Sequence, residues 1–202
     1  METERSIIRW EYPEPKGALD RFAGPGASTA ELLLQFIGSG LAAVVVVGAS
    51  LAGGWGWTVA QMIVAAVLAL DVMGGVITNA TGAAKRWYHR EGQNARAHLR
   101  FVLIHAAPPT LLVLFFDPGN WTFVLAGFGY LAGSAVVLLL APQYLQRPVS
   151  GLLVAVGIAL ALYAIPVPKH FEWFLPLYYM KMLNSHLLRE EPYRPAAEEA
   201  RA

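Results

Sequence analysis

Long apolar runs separated by short polar links dominate this chain. Each run is close to the ~20 residues that a helix needs to cross a hydrocarbon core, and each is bounded by Gly, Pro, Asp or basic residues. The pattern predicts an all-α fold, a polytopic membrane helix bundle with six transmembrane helices. The predicted helices cover residues 29–53, 57–80, 99–116, 121–141, 148–166 and 171–188. The chain then divides into an N-terminal arm (1–28), a transmembrane domain (29–188) and a C-terminal tail (189–202).

The positions of the basic residues predict how the bundle is oriented. Lys and Arg concentrate on one set of alternate segments, which are the N-terminal arm, the 81–98 link, the 142–148 link and the tail. The intervening links at 54–56 and 117–120 carry none, and 166–170 carries only Lys169. Because cytoplasmic segments are enriched in Lys and Arg, we expect both the N and the C terminus to be cytoplasmic.

Composition supports a membrane protein and narrows its chemistry. Hydrophobic residues make up 56% of the chain and charged residues 14%, and the mean hydropathy is +0.46. The absence of cysteine excludes disulfides and thiolate metal sites. The first 28 residues lack the apolar region of a cleavable signal peptide, so we expect the first spanning helix to direct insertion. The Ala-, Gly-, Val- and Leu-rich composition favours a bacterial inner membrane, with membrane lipids and no nucleic acid as partners.

Asp71 is the residue that a simple apolar bundle explains least, because a carboxylate inside a span costs at least ~2.5–3.5 kcal/mol unless it finds a partner or water. At ~1.5 Å of rise per residue, Asp71 lies ~13 Å from the cytoplasmic end of its span. His105 and Lys181 lie ~9 Å and ~10 Å from the same face on two other helices. We therefore expect these three candidate catalytic residues to meet in the inner half of the bundle.

Polar neighbours and glycines suggest that this layer is more than one ion pair. The residues that follow helical spacing beside the three ionisable groups are the candidate substrate-binding residues Gly74, Gly75, Asn79, His98 and Tyr178. They predict a water-accessible cavity open to the cytoplasm. The alternative is a purely structural pair between Asp71 and Lys181, with the glycines serving helix packing.

Two further motifs extend the candidate site. Lys85 and Arg86 begin the link motif KRWYHR and are expected either to face lipid head groups and hold an anionic group or to serve only as topogenic charge. Pro108 and Pro109 follow His105 by about one turn and remove two backbone donors, which predicts a kink or a break beside the histidine.

The remaining signals are weaker. No HxxxH or HExxH spacing is present, so the sequence predicts no metal site, and it identifies no cofactor. Gly129 and Gly133 form a small-xxx-small pair on the fourth span, which suits helix packing or a homo-oligomer contact.

Three functions fit this pattern. The first is a small membrane-embedded enzyme acting on a lipid or isoprenoid-type substrate, with His105 as proton carrier, Asp71 orienting it, and Lys181 and the basic link holding an anionic group. The second is a carrier or channel for protons or a small solute. The third is a structural accessory subunit of a membrane complex. No GxSxG motif or phosphate-cradling glycine loop is present to favour a particular reaction.

Overall fold

Helices account for most of the described chain, which in the computed structural model comprises residues 7, 8 and 10–194. In chain order they are α1 (Ala18–Ala23), α2 (Thr29–Ala52), α3 (Val59–Thr78), α4 (Gly82–Tyr88), α5 (Ala95–Ile104), α6 (Ala107–Phe116), α7 (Trp121–Leu140), α8 (Gln143–Tyr163) and α9 (Phe174–Tyr179). A π-helix, Met180–His186, follows α9 directly. Two short strands, β1 (Ile7–Ile8) and β2 (Tyr193–Arg194), pair antiparallel.

Five helical segments of the described chain are long and apolar enough to cross a membrane, which makes the chain a multi-pass helical membrane protein. They are α2, α3, the continuous stretch Ala95–Phe116 that contains α5 and α6, α7, and α8. Four of the predicted spans agree with these segments to within a few residues. The fifth was predicted to begin at Pro148, whereas α8 begins at Gln143 with Pro148 inside it. The polar residues before the proline are therefore helical.

The sixth apolar run forms the centre of the bundle instead of another long exposed helix. It contains the six residues of α9 and the seven of the π-helix, and it contacts α3, α7 and α8. Glycines on the neighbouring helices allow this close approach, since a Cβ at Gly157 would lie 2.6 Å from Cδ2 of Tyr179. The Tyr179 hydroxyl also donates to the carbonyl of Gly127 (3.1 Å).

Local capping fixes where the long helices begin. Ser28 and Glu31 form a reciprocal capping box at the start of α2, and Thr58 and Gln61 form the same arrangement at the start of α3. The outward faces of these helices are apolar and exposed, as expected for surfaces that meet lipid tails.

Contacts group the links at two ends of the bundle. At one end, Trp55 stacks on His170 with ring centroids 3.9 Å apart, and Asn120 donates to the carbonyl of Pro166 (2.7 Å). At the other end, the segment after the π-helix meets α4 and the start of α8, where Arg147 lies 3.6 Å from Glu190. The links with few basic residues therefore share one end, and the basic links share the other.

Candidate functional site

An ion pair between Asp71 and Lys181 lies at the centre of the candidate site. Nζ of Lys181 is 2.7 Å from Oδ2 of Asp71. The two side chains differ in environment, because Lys181 is 3% exposed and Asp71 is 42% exposed. The aliphatic stem of Lys181 crosses α3 at Gly75, where a Cβ would lie 2.6 Å from Cδ and 2.8 Å from Cγ of the lysine. Gly74 faces α2, with its Cβ position 3.3 Å from Cβ of Ser39.

A cavity of about 520 Å³ surrounds this pair. Its walls come from α2, α3, α5 and the π-helix, with contributions from α1 and α4. The polar side chains that line it are Gln35, Ser39, Asp71, Thr78, Asn79, Tyr88, His105 and Lys181. The structure thus brings together on one cavity wall the three residues that the depth argument placed in one layer.

Apolar side chains form the open side of the cavity. Phe36, Val67 and Leu70 line it and are 54%, 53% and 41% exposed. These residues lie within α2 and α3, both long enough to span a membrane, so their exposed faces meet lipid. The cavity therefore has a polar wall and an apolar side that opens towards the hydrocarbon.

A helix break lies beside His105, and a hydrogen bond to the carbonyl of Phe101 fixes the tautomer of this histidine. α5 ends at Ile104 and α6 begins at Ala107, with Pro108 and Pro109 in its first turn. The carbonyl of His105, which Pro109 leaves without a backbone donor, accepts a hydrogen bond from the Tyr178 hydroxyl. Nδ1 of His105 lies 2.7 Å from the carbonyl of Phe101. Because a carbonyl only accepts, Nδ1 carries the proton, and Nε2 of the neutral ring holds the lone pair.

Tyr178 and His98 lie outside the cavity, unlike the other candidate residues of the spans. Tyr178 is fully buried and braces the helix break. His98 was expected to share a face with His105, but its Nδ1 lies 3.3 Å from Nε2 of His186. Phe101 stacks on His186 (3.9 Å between centroids) and itself lines the cavity.

Lys85 and Arg86 correct the prediction that the basic link faces lipid head groups. Both are 2% exposed. Nζ of Lys85 donates to the carbonyls of Ser185 and Leu188, each at 2.6 Å, and lies 3.6 Å from Glu190. The end of the π-helix leaves carbonyls without intrahelical donors, and Lys85 satisfies that of Ser185 together with the carbonyl of Leu188 just beyond the helix. Burial lowers the pKa of Lys85 to about 8, although the Glu190 carboxylate opposes this shift.

Three histidines form a cluster at the end of α4, namely His89, His98 and His186. Nε2 of His89 lies 2.9 Å from the carbonyl of His186, and the rings of His89 and His98 are 4.9 Å apart. Burial, together with the neighbouring His98 and Lys85, lowers the pKa of His89 to about 3. No group of three or more His, Asp or Glu side chains within residues 7, 8 and 10–194 has a metal-binding arrangement.

The π-helix changes the face on which later residues of the sixth run lie. Regular helical spacing places Asn184 with Lys181 and Tyr178, but the i→i+5 pattern of a π-helix shifts this register. Asn184 is exposed instead, and its Oδ1 accepts from the Ser150 hydroxyl of α8 (3.4 Å).

Gln35 is the cavity residue that sequence reasoning missed. It is 2% exposed, yet neither Oε1 nor Nε2 has a hydrogen-bond partner within the described chain. Thr78, another residue of the cavity wall, is 3% exposed, and its hydroxyl likewise has no hydrogen-bond partner within the described chain. The sequence did carry a signal for Gln35, because this polar residue lies about one and a half turns inside the first apolar run.

Comparison with protein-family models, curated proteins and solved structures finds no match to this chain. The fold and the site alone therefore define its class, a multi-pass helical membrane protein with a polar cavity in one half of the bundle.

Proposed function

We propose that this protein is a small membrane-embedded enzyme that acts on a lipid or isoprenoid-type substrate, which enters the cavity sideways from the bilayer. The observation that carries this proposal is the cavity itself. Its wall holds an imidazole and an ion pair, and its open side consists of exposed apolar side chains. An amphiphilic molecule fits such a site with its head against the polar wall and its tail in the hydrocarbon.

His105 is the proposed proton carrier. Its Nδ1 is held by the Phe101 carbonyl, so Nε2 is free to accept a proton from a substrate and return it. Lys181 and Asp71 are held 2.7 Å apart and provide a fixed dipole beside the reacting group. Lys85 and Arg86 have no part in this proposal, because they are buried elsewhere.

The carrier alternative receives less support from this cavity. The residues of α2 and α3 that line the cavity lie in the middle of these helices or in the half near the basic links. Towards the other end, Ala65, Leu112 and Phe123 are fully buried in the apolar core, so the site is closed on that side.

We further propose that the sixth run crosses the membrane and that both termini are cytoplasmic. Pairing of β1 with β2 supports an even number of crossings, because it requires both ends of the described chain to lie at one end of the bundle. The basic links at that end favour the cytoplasm, and the composition favours a bacterial inner membrane. Gly129 and Gly133 have no other atoms within 4 Å of their Cβ positions, which leaves this face of α7 open for a second copy.

The test uses purified protein in nanodiscs of a bacterial polar lipid extract with diazirine-bearing isoprenoid and diacyl lipids added. We expect crosslinks in α2 and α3 at the cavity and a chemically altered lipid detected by mass spectrometry. Val67→Trp should abolish the crosslinks, whereas Ile63→Trp, one turn away and also lipid-exposed, should not. His105→Gln should bind lipid without converting it. Equal, unlocalised labelling of both tryptophan variants would contradict the proposal.

A further inference from the structure

Three buried polar atoms on the cavity wall have no hydrogen-bond partner within the described chain, and they indicate what the ligand must offer. They are Oε1 and Nε2 of Gln35 and the hydroxyl of Thr78. An unsatisfied buried polar group costs ~1–3 kcal/mol, and its cost is high inside a bilayer, where water is scarce. Both residues line the cavity, so a bound molecule could satisfy these atoms once the two side chains turn towards it.

The cavity wall offers no unpaired cation for an anionic head group. Lys181 is neutralised by Asp71 at 2.7 Å, and Lys85 donates to two backbone carbonyls away from the cavity. An anion placed here would add an uncompensated charge to a low-dielectric site, which is strongly unfavourable. The expectation that Lys181 and the basic link hold an anionic group is therefore not supported by the geometry.

We infer that the head group bound in this cavity is uncharged and both donates and accepts hydrogen bonds, as the hydroxyl of an isoprenoid alcohol or a diacylglycerol does. This inference rests on the proposed function and specifies its substrate class. The amide of Gln35 supplies an acceptor and a donor, and its terminal torsion is soft, so it can turn to meet a guest. Thr78 supplies a second donor. A hydroxyl in the same cavity is also the kind of group from which Nε2 of His105 would take a proton.

An anionic head would have to use a different surface. Lys16 and Arg21 line a separate cleft that meets the cavity at Phe22 and Tyr88. A substrate with a phosphate on a similar tail would place its charge in this cleft, and binding would then depend on Arg21 more than on Gln35.

The experiment compares a photoreactive isoprenoid alcohol with its monophosphate, which differ in the head group alone, using the full chain in nanodiscs. Gln35→Leu and Thr78→Val are the test variants. Ser50→Ala is the matched control, because Ser50 is a buried polar residue of α2 whose hydroxyl bonds to Val47 in its own helix, outside the cavity. We expect each test variant to weaken alcohol binding about three- to tenfold, the loss of one hydrogen bond. Their thermal midpoints should stay unchanged or rise, since an unsatisfied buried group is removed.

Each other result has a distinct meaning. Gln35→Leu with a lowered thermal midpoint and unchanged affinity would overturn the inference, because Gln35 would then be structural. Tighter binding of the monophosphate, weakened by Arg21→Gln, would overturn it while leaving the proposed lipid enzyme intact. Failure of both probes to label the cavity would reject the proposed function as well.

Discussion

Removing either partner of the Asp71–Lys181 pair should have unequal effects on stability. The Asp71→Asn variant strands an ammonium on a side chain that is 3% exposed, whereas Lys181→Met strands a carboxylate that is 42% exposed at the cavity wall. The carboxylate is therefore less desolvated than the ammonium, and losing its partner should cost less. The two single variants therefore separate the environments of two groups that are only 2.7 Å apart.

The expected magnitudes follow from this difference in burial. Breaking a buried pair by removing one partner costs ~3–5 kcal/mol, whereas an exposed pair contributes ~0–1 kcal/mol. We expect Asp71→Asn to lower the free energy of unfolding by about 3 kcal/mol, at the lower end of this range. Lys181→Met should cost less than this, because the carboxylate is only partly desolvated. The double variant, which has no stranded charge, should lie closer to the wild type than Asp71→Asn does.

Reversible unfolding in mixed micelles with increasing fractions of denaturing detergent measures these differences. The four proteins are compared at one pH, and circular dichroism of each folded state is the control for intact helices. A Lys181→Met variant that is as unstable as Asp71→Asn, or more so, would refute the reasoning, because it would show that the carboxylate is the desolvated partner.

Three further predictions concern the neighbours of the site and the topology. Gly75→Ala should lower the free energy of unfolding by ~1–3 kcal/mol through overpacking against the lysine stem, while Gly133→Ala, with nothing within 4 Å, should be neutral or stabilising; equal effects of the two in the same unfolding assay would contradict this close approach. Because burial lowers the pKa of Lys85 from 10.5 to about 8, the unfolded state binds more protons between these values and the folded protein should gain stability as pH rises through this window. The thermal midpoint of the wild type should rise relative to that of Lys85→Met across this window, and a constant difference between the two would argue against the shift. A periplasmic reporter fused after residue 202 should be inactive and a cytoplasmic one active; the opposite pattern would mean that the sixth run does not cross.

The five long helices could be predicted from the sequence because their signal is local. A run of ~20 apolar residues specifies a spanning helix wherever it occurs, and flanking capping residues such as Ser28 and Thr58 set its start. The fixed rise per residue likewise placed Asp71 and Lys181 at one depth, and two charges at one depth in a bilayer have a strong reason to pair. Gly75 could be recognised as a point of close approach because a residue without a Cβ lets a neighbouring chain come near.

Tertiary structure alone decided which way the remaining side chains point. The π-helix shifted the register of the sixth run and turned Asn184 away from the cavity. Lys85 was drawn inward by two carbonyls at and just after the end of that helix, 100 and 103 residues away in the chain. Gln35 is significant only because nothing packed around it satisfies its amide. The rotation of a helix about its axis and the hydrogen bonds of its buried side chains depend on neighbours from distant segments of the chain. The apolar pattern of the sequence therefore fixes the depth of a residue but not its partner.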